Sequence, residues 1–131
     1  MGIIGLGLDI TDIGRIAATI ERYGDRFLHR VFTNGEVAYC SRRRVPAMHF
    51  AGRFAAKEAA MKALGTGMRG IAFRELAIVR TPGGPPRLAL FGRARVCGAR
   101  LGVSGAHVTI THTRELAAAV VVLTGAPPNP R

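Results

Sequence analysis

From Phe50 to Gly67 the chain reads Phe-Ala-Gly-Arg-Phe-Ala-Ala-Lys-Glu-Ala-Ala-Met-Lys-Ala-Leu-Gly-Thr-Gly. Strong helix formers, no proline and closing glycines predict a helix that ends near Leu64. At about 100° per residue, Phe50, Phe54, Met61 and Leu64 share one stripe, while Ala51, Ala55, Ala56, Ala59, Ala60 and Ala63 cover the back. A helix that is apolar or small nearly all round belongs inside a protein. Arg53, Lys57, Glu58 and Lys62 nonetheless sit in it. A carboxylate on a buried helix must be paired or must bind a metal. Glu58 and Lys62, four residues apart, satisfy the first demand as an ordinary salt bridge. Taken alone, the helix leaves both readings open.

The 131 residues suit one domain, expected to span 1–124, with 125–131 as a flexible tail because Gly125-Ala-Pro-Pro-Asn-Pro-Arg131 offers nothing to pack. Lysine and arginine number 19 against 8 acidic residues, a formal charge of +11, which points to a polyanionic partner such as nucleic acid, a phosphorylated metabolite or an acidic protein. Cys40 and Cys97 lack metal-site spacing and read as reduced thiols. Met1–Leu8 is too short and too poor in leading basic residues for a signal or a membrane span. The expectation is a soluble, cytoplasmic chain with no membrane partner.

Gly2–Ile10 reads as a buried strand. Ile4, Leu6, Leu8 and Ile10 share one face; Ile3, Gly5, Gly7 and Asp9 share the other. Asp9 thus ends a lane of glycines, where backbone or ligand can approach closely; it equally suits a helix cap. Thr11 is placed to cap a helix whose outer face carries Arg15 and Arg22, either a solvated basic face or a dock for an acidic helix. Thr33-x-x-Glu36 is a capping box for a short helix. Arg42-Arg43-Arg44 then precede Pro46, which opens the central helix. Leu76–Arg80 and Arg87–Phe91 flank a Pro-Gly-Gly-Pro-Pro turn as short strands. A helix with Ala94, Cys97 and Leu101 inward stops at Gly102, and His107–Thr113 with Leu116–Thr124 read as a hairpin. The order is strand, three helices, two strands, helix, two strands: α+β, with an antiparallel sheet packed on a long buried helix.

No phosphate-binding P-loop, His-Glu-x-x-His pair or nucleophile elbow is present. What remains is two acidic residues with buried surroundings, Asp9 and Glu58, amid Arg53, Lys57, Lys62 and the arginine knot. Two carboxylates with a nearby phosphate suit Mg²⁺, which keeps water and phosphate among its ligands. Spacing alone does not bring Asp9 and Glu58 together.

Three segments resemble the small, trimeric holo-acyl-carrier-protein synthase type of 4′-phosphopantetheinyl transferase. They are Gly5-Leu-Gly-Leu-Asp9-Ile with Arg15-Ile16 downstream, Gly52 to Gly67, and His107-Val-Thr-Ile-Thr-His112-Thr. The resemblance implies transfer of the phosphopantetheine arm of coenzyme A to a serine of apo acyl-carrier protein in fatty acid biosynthesis, with adenosine 3′,5′-bisphosphate released. It implies Mg²⁺ on Asp9 and Glu58, with Glu58 also accepting the serine proton, directly or through water, and Lys62 facing the departing phosphate. It implies coenzyme A contacts at Arg44, Arg53, Lys57, Gly65, Thr66, Pro86 and His112, and docking of the acidic carrier protein at Arg15 and Arg22. It also implies a homotrimer with sites shared between subunits. The chain departs from the family at Pro85, where relatives often have a lysine, and at Val45, where some have a second basic residue.

Two rivals come from other classes. A basic nucleic-acid-binding module fits the charge, but aromatics are 6% of the chain and Phe50 and Phe54 are committed to the core, leaving no stacking platform. A non-catalytic carrier-protein adaptor would dock through Arg15 and Arg22 and has no use for Asp9 and Glu58.

Overall fold

The structure, a computed structural model, describes residues 1–65 and 70–128. In chain order these form β1 (Gly2–Asp12), α1 (Ile13–Tyr23), α2 (Asp25–Val31), α3 (Asn34–Ser41), α4 (Pro46–Leu64), a 3-10 turn (Phe73–Glu75), β2 (Leu76–Arg80), β3 (Pro86–Leu90), α5 (Gly92–Leu101), β4 (Val103–His112) and β5 (Leu116–Gly125). All strand pairs are antiparallel, as a three-stranded sheet β1-β5-β4 and a β2-β3 hairpin. This is the α+β architecture the sequence predicts, with one helix more. Short α2 follows Gly24, which has no side chain to cap it, and so leaves no mark in the sequence.

The central helix is α4. Proline opens it, and Gly65 closes it in the left-handed conformation at φ 75°. Ala55, Ala56, Ala59 and Ala60 are fully buried. The glycines of β1 show why. A Cβ added to Gly5 would lie 2.0 Å from the Ala63 carbonyl oxygen, and one on Gly7 would lie 1.8 Å from that of Ala59. Strand backbone therefore rests directly on helix backbone, with alanine on one side and glycine on the other. Asp9, next on the same face of β1, is delivered to the side of α4. Gly7→Ala has no side chain to push aside and must part the strand from the helix. It is expected to lower stability by at least about 1–3 kcal/mol in urea unfolding; an unchanged midpoint would show that this contact does not hold β1 in place.

Three expectations change. The other face of β1 is not buried: Leu6, Leu8 and Ile10 are 63%, 55% and 61% exposed. Helix α4 occupies only the glycine side, and no element among the described residues covers the opposite one. Thr11 does not cap α1. Because β1 runs on to Asp12, the Asp12 carboxylate accepts from the Arg15 amide (3.0 Å), while Thr11 donates to Asp9 Oδ2 (3.1 Å). Gly125 belongs to β5, paired with Gly2 and Val103, rather than to the tail.

Candidate active site

Asp9 and Glu58 meet along the β1 flank of α4. They line a hollow of about 320 Å³ together with Thr11, Asp12, Arg15, Ile16, Phe27 and Phe54. Burial raises the Glu58 carboxyl above the usual carboxylate range; the Asp9 charge raises it further, and Lys62 opposes both. The salt bridge between Glu58 and Lys62 is not made. Lys62 instead crosses to β1, donating to the Leu8 carbonyl at 2.9 Å and to Asp9 Oδ1 at 3.2 Å. Two carboxylates thus lie near each other with one half-exposed lysine against Asp9. That donor set fits a divalent cation with open positions for phosphate and water, since a metal would relieve the repulsion that Lys62 only partly offsets.

Another flank of α4 is cationic. Arg53 is 4% exposed, and its guanidinium lies 4.4 Å from the centre of the Tyr39 ring. His112, at the end of β4, faces His49 with ring centres 6.5 Å apart, and His49 in turn faces Tyr39. Arg44 is exposed in the turn between α3 and α4. Pro86 opens β3, opposite Arg80 of β2. Gly65 is exposed at the end of α4, and Thr66 lies outside the described residues. Arg15 and Arg22 are exposed on α1, and Arg15 borders the hollow that holds the two carboxylates. Asp9, Glu58, Lys62 and Arg15 therefore gather on the β1 flank of α4, while Arg53, His49 and His112 gather on another.

Lys57, expected at the coenzyme, belongs to neither. It is fully buried, with its ammonium 2.8 Å from Glu36 Oε1 and donating to the carbonyls of Phe73 (3.0 Å) and Leu76 (2.9 Å). All three donor positions are consumed, so Lys57 ties α4 to α3 and β2 and has nothing left for a ligand. Its partner was legible only in part. Glu36 does close the predicted capping box, accepting from the Thr33 amide at 2.8 Å, but it also accepts from the Ile78 amide on β2 at 2.6 Å. Nothing in the sequence signals that second task. Cys40 is buried, and burial pushes its thiol up to about 11, which removes it as a nucleophile.

Residues 5–121 match the 4′-phosphopantetheinyl transferase superfamily. The chain is 46% identical over 122 residues to a holo-[acyl-carrier-protein] synthase of Koribacter versatilis, covering 92% of this chain and 98% of that one. It is 49% identical over 130 residues to one of Maricaulis maris, covering 95% and 92%. Among solved structures, the holo-[acyl-carrier-protein] synthase of Neisseria meningitidis superimposes with a TM-score of 0.85 at 31% identity, over 93% of this chain and 98% of that one. The Helicobacter pylori enzyme in complex with coenzyme A gives 0.80 at 29%, over 91% and 99%. With a match running from β1 into β5 and relatives near half identity along almost their whole length, the chain belongs to the holo-acyl-carrier-protein synthase family of the 4′-phosphopantetheinyl transferase superfamily.

Proposed function

We propose that this protein transfers the 4′-phosphopantetheine group of coenzyme A to a serine of apo acyl-carrier protein, releasing adenosine 3′,5′-bisphosphate. The observation that carries the reading is the meeting of Glu58 and Lys62 of α4 with Asp9, which β1 delivers because two glycines let that strand lie against α4. Asp9 and Glu58 would hold Mg²⁺, which when bound supplies positive charge to the pyrophosphate. The serine oxygen bonds to the phosphorus that carries the pantetheine arm, and the bond from that phosphorus to the bridging pyrophosphate oxygen breaks. The serine proton passes to Glu58, directly or through one water; partial burial suits this carboxylate to a base stronger than an ordinary one. Lys62, half-exposed and already turned to this flank, faces the charge that develops on the leaving phosphate. Arg15 at the edge of the hollow and Arg22 two turns along would receive an acidic carrier-protein helix. The test is incubation with apo acyl-carrier protein, coenzyme A and Mg²⁺, read by intact mass. A gain equal to one phosphopantetheine arm is expected; no gain with a competent acceptor rejects the activity.

The assembly proposed is a homotrimer with each site shared between neighbours. Two features support it. The outer face of the large sheet is an apolar strip in which Leu6 and Leu8 stand beside Val122 and Val120, more than a lone subunit keeps in water. The carboxylate and arginine groups also lie on different flanks of α4, so a neighbouring copy would complete each one. Leu8→Asp is expected to yield monomers by light scattering and to lose transfer. A variant that keeps the wild-type mass would remove this face from the interface.

A further inference from the structure

A buried hydroxyl has to be hydrogen-bonded, and that of Thr11 is given to Asp9. Thr11 is 8% exposed, lines the same hollow as Phe54 and Glu58 of α4, and caps no helix, because Asp12 does that. Its hydroxyl donates to Asp9 Oδ2 at 3.1 Å. The direction follows from chemistry: a carboxylate only accepts, and the hydroxyl has one proton to give. Two residues apart on one strand, the two side chains leave the same face. Pairing with β5 pins both backbones, Asp9 opposite Ala119 and Thr11 opposite Ala117. A β-branched side chain is stiff at χ1, whereas an aspartate carboxylate turns broadly about its last torsion. The bond therefore ties a free rotor to a fixed donor. Lys62 holds the other oxygen, Oδ1, at 3.2 Å, but in a looser way. Its side chain is 55% exposed, and in the proposed reaction its charge serves the leaving phosphate.

Asp9 and Glu58 line one hollow, and like charges there repel. A cation shared by both nevertheless needs the Asp9 carboxylate turned toward it. With Lys62 engaged on phosphate, Thr11 is the side-chain partner that Asp9 keeps among the described residues. Carboxylates that bind metals are held in this way by outer hydrogen bonds, which set their orientation. We infer that Thr11 is a positioning residue for the transfer reaction: its hydroxyl fixes the Asp9 carboxylate in the orientation that accepts the divalent cation, and keeps it there when Lys62 turns to phosphate. This rests on the proposed function and adds to the cation site a residue that the family resemblance does not assign.

The experiment compares the full-length wild type with Thr11→Val and Thr11→Ser in two measurements. One follows melting temperature against Mg²⁺ concentration, with coenzyme A present and no acceptor, and so reads cation binding without turnover. The other follows the rate of transfer to apo acyl-carrier protein against Mg²⁺ concentration. Valine keeps the branched shape and suits a strand, so Thr11→Val is expected to melt close to the wild type without Mg²⁺. It is expected to need about tenfold more Mg²⁺ or beyond, both for the same rise in melting temperature and for half its maximal rate, the loss typical of a missing outer hydrogen bond at a metal site. The maximal rate at saturating Mg²⁺ falls far less. Thr11→Ser, which keeps the hydroxyl, is expected to recover most of the wild-type Mg²⁺ response. A wild-type Mg²⁺ requirement in Thr11→Val overturns the inference, as does an equal loss in the valine and serine variants. Should the wild type transfer nothing, the proposed activity fails, and the melting curves still judge Thr11. Mg²⁺ must then stabilise the wild type and Thr11→Ser at concentrations about tenfold below those that stabilise Thr11→Val. A wild type that Mg²⁺ does not stabilise overturns it.

Discussion

Asp9→Asn and Glu58→Gln are each expected to lower kcat/KM for arm transfer by at least roughly a hundredfold, while circular dichroism and melting temperature stay close to wild type. Each substitution keeps shape and removes one negative charge from a site where two carboxylates already repel. Lys62 retains the Leu8 carbonyl as a partner in Asp9→Asn, so the β1–α4 contact survives. A second readout does not depend on turnover. At a tenfold excess over its Kd, Mg²⁺ should stabilise the wild type by about 1.4 kcal/mol, or a few degrees in Tm, and neither variant by a comparable amount. Either variant retaining both near-wild-type transfer and the Mg²⁺ shift would sink the assignment of these residues.

The largest loss of stability is expected at Lys57. Lys57→Met leaves the volume nearly filled but strands the Glu36 carboxylate, which is 1% exposed at its side chain, without a counter-charge. Breaking a buried pair in this way costs about 3–5 kcal/mol, because the remaining charge has no water to return to. Two backbone carbonyls, of Phe73 and Leu76, lose their donor as well. Chemical denaturation should show a sharply lowered midpoint, with KM for coenzyme A little changed in whatever fraction stays folded. A Lys57→Met protein of wild-type stability whose defect is a raised KM would return this residue to the coenzyme.

The two expectations concern neighbouring residues, and their contrast shows what a sequence carries. Lys57 and Glu58 are adjacent on a helix that reads as buried, and both are charged. Helical periodicity puts them on different faces but cannot say what each face meets. The alternation of Gly5, Gly7 and Asp9 points to a close approach, and the structure supplies its partner: the carbonyls of Ala59 and Ala63. Local signals of this kind were readable with one exception, the cap of α1, which is Asp12 and not Thr11. The Thr33–Glu36 capping box, the Gly65 and Gly102 stops and the proline that opens α4 all act within a few residues of themselves.

Long-range tasks were not readable. Tyr39 looks like an ordinary residue of a short helix, and Arg80 like the polar end of a strand; only the packing of α3, α4 and β2 sets both beside Arg53. The exposed Leu6–Leu8–Ile10 face was misjudged for the same reason. Alternation states which residues share a side, not whether anything lies on it.

By itself, then, the sequence determined the strands, every helix but α2 and the buried character of α4, because helix propensity, caps and glycine close approaches are local physics; it offered Asp9 and Glu58 as candidates, and only the family resemblance joined them. Tertiary structure decided which charges are spent. It closed Lys57 on Glu36, turned Lys62 from Glu58 to Asp9 and left Arg53 buried with an unused donor, because pairing between charges depends on distances that only the packed chain sets.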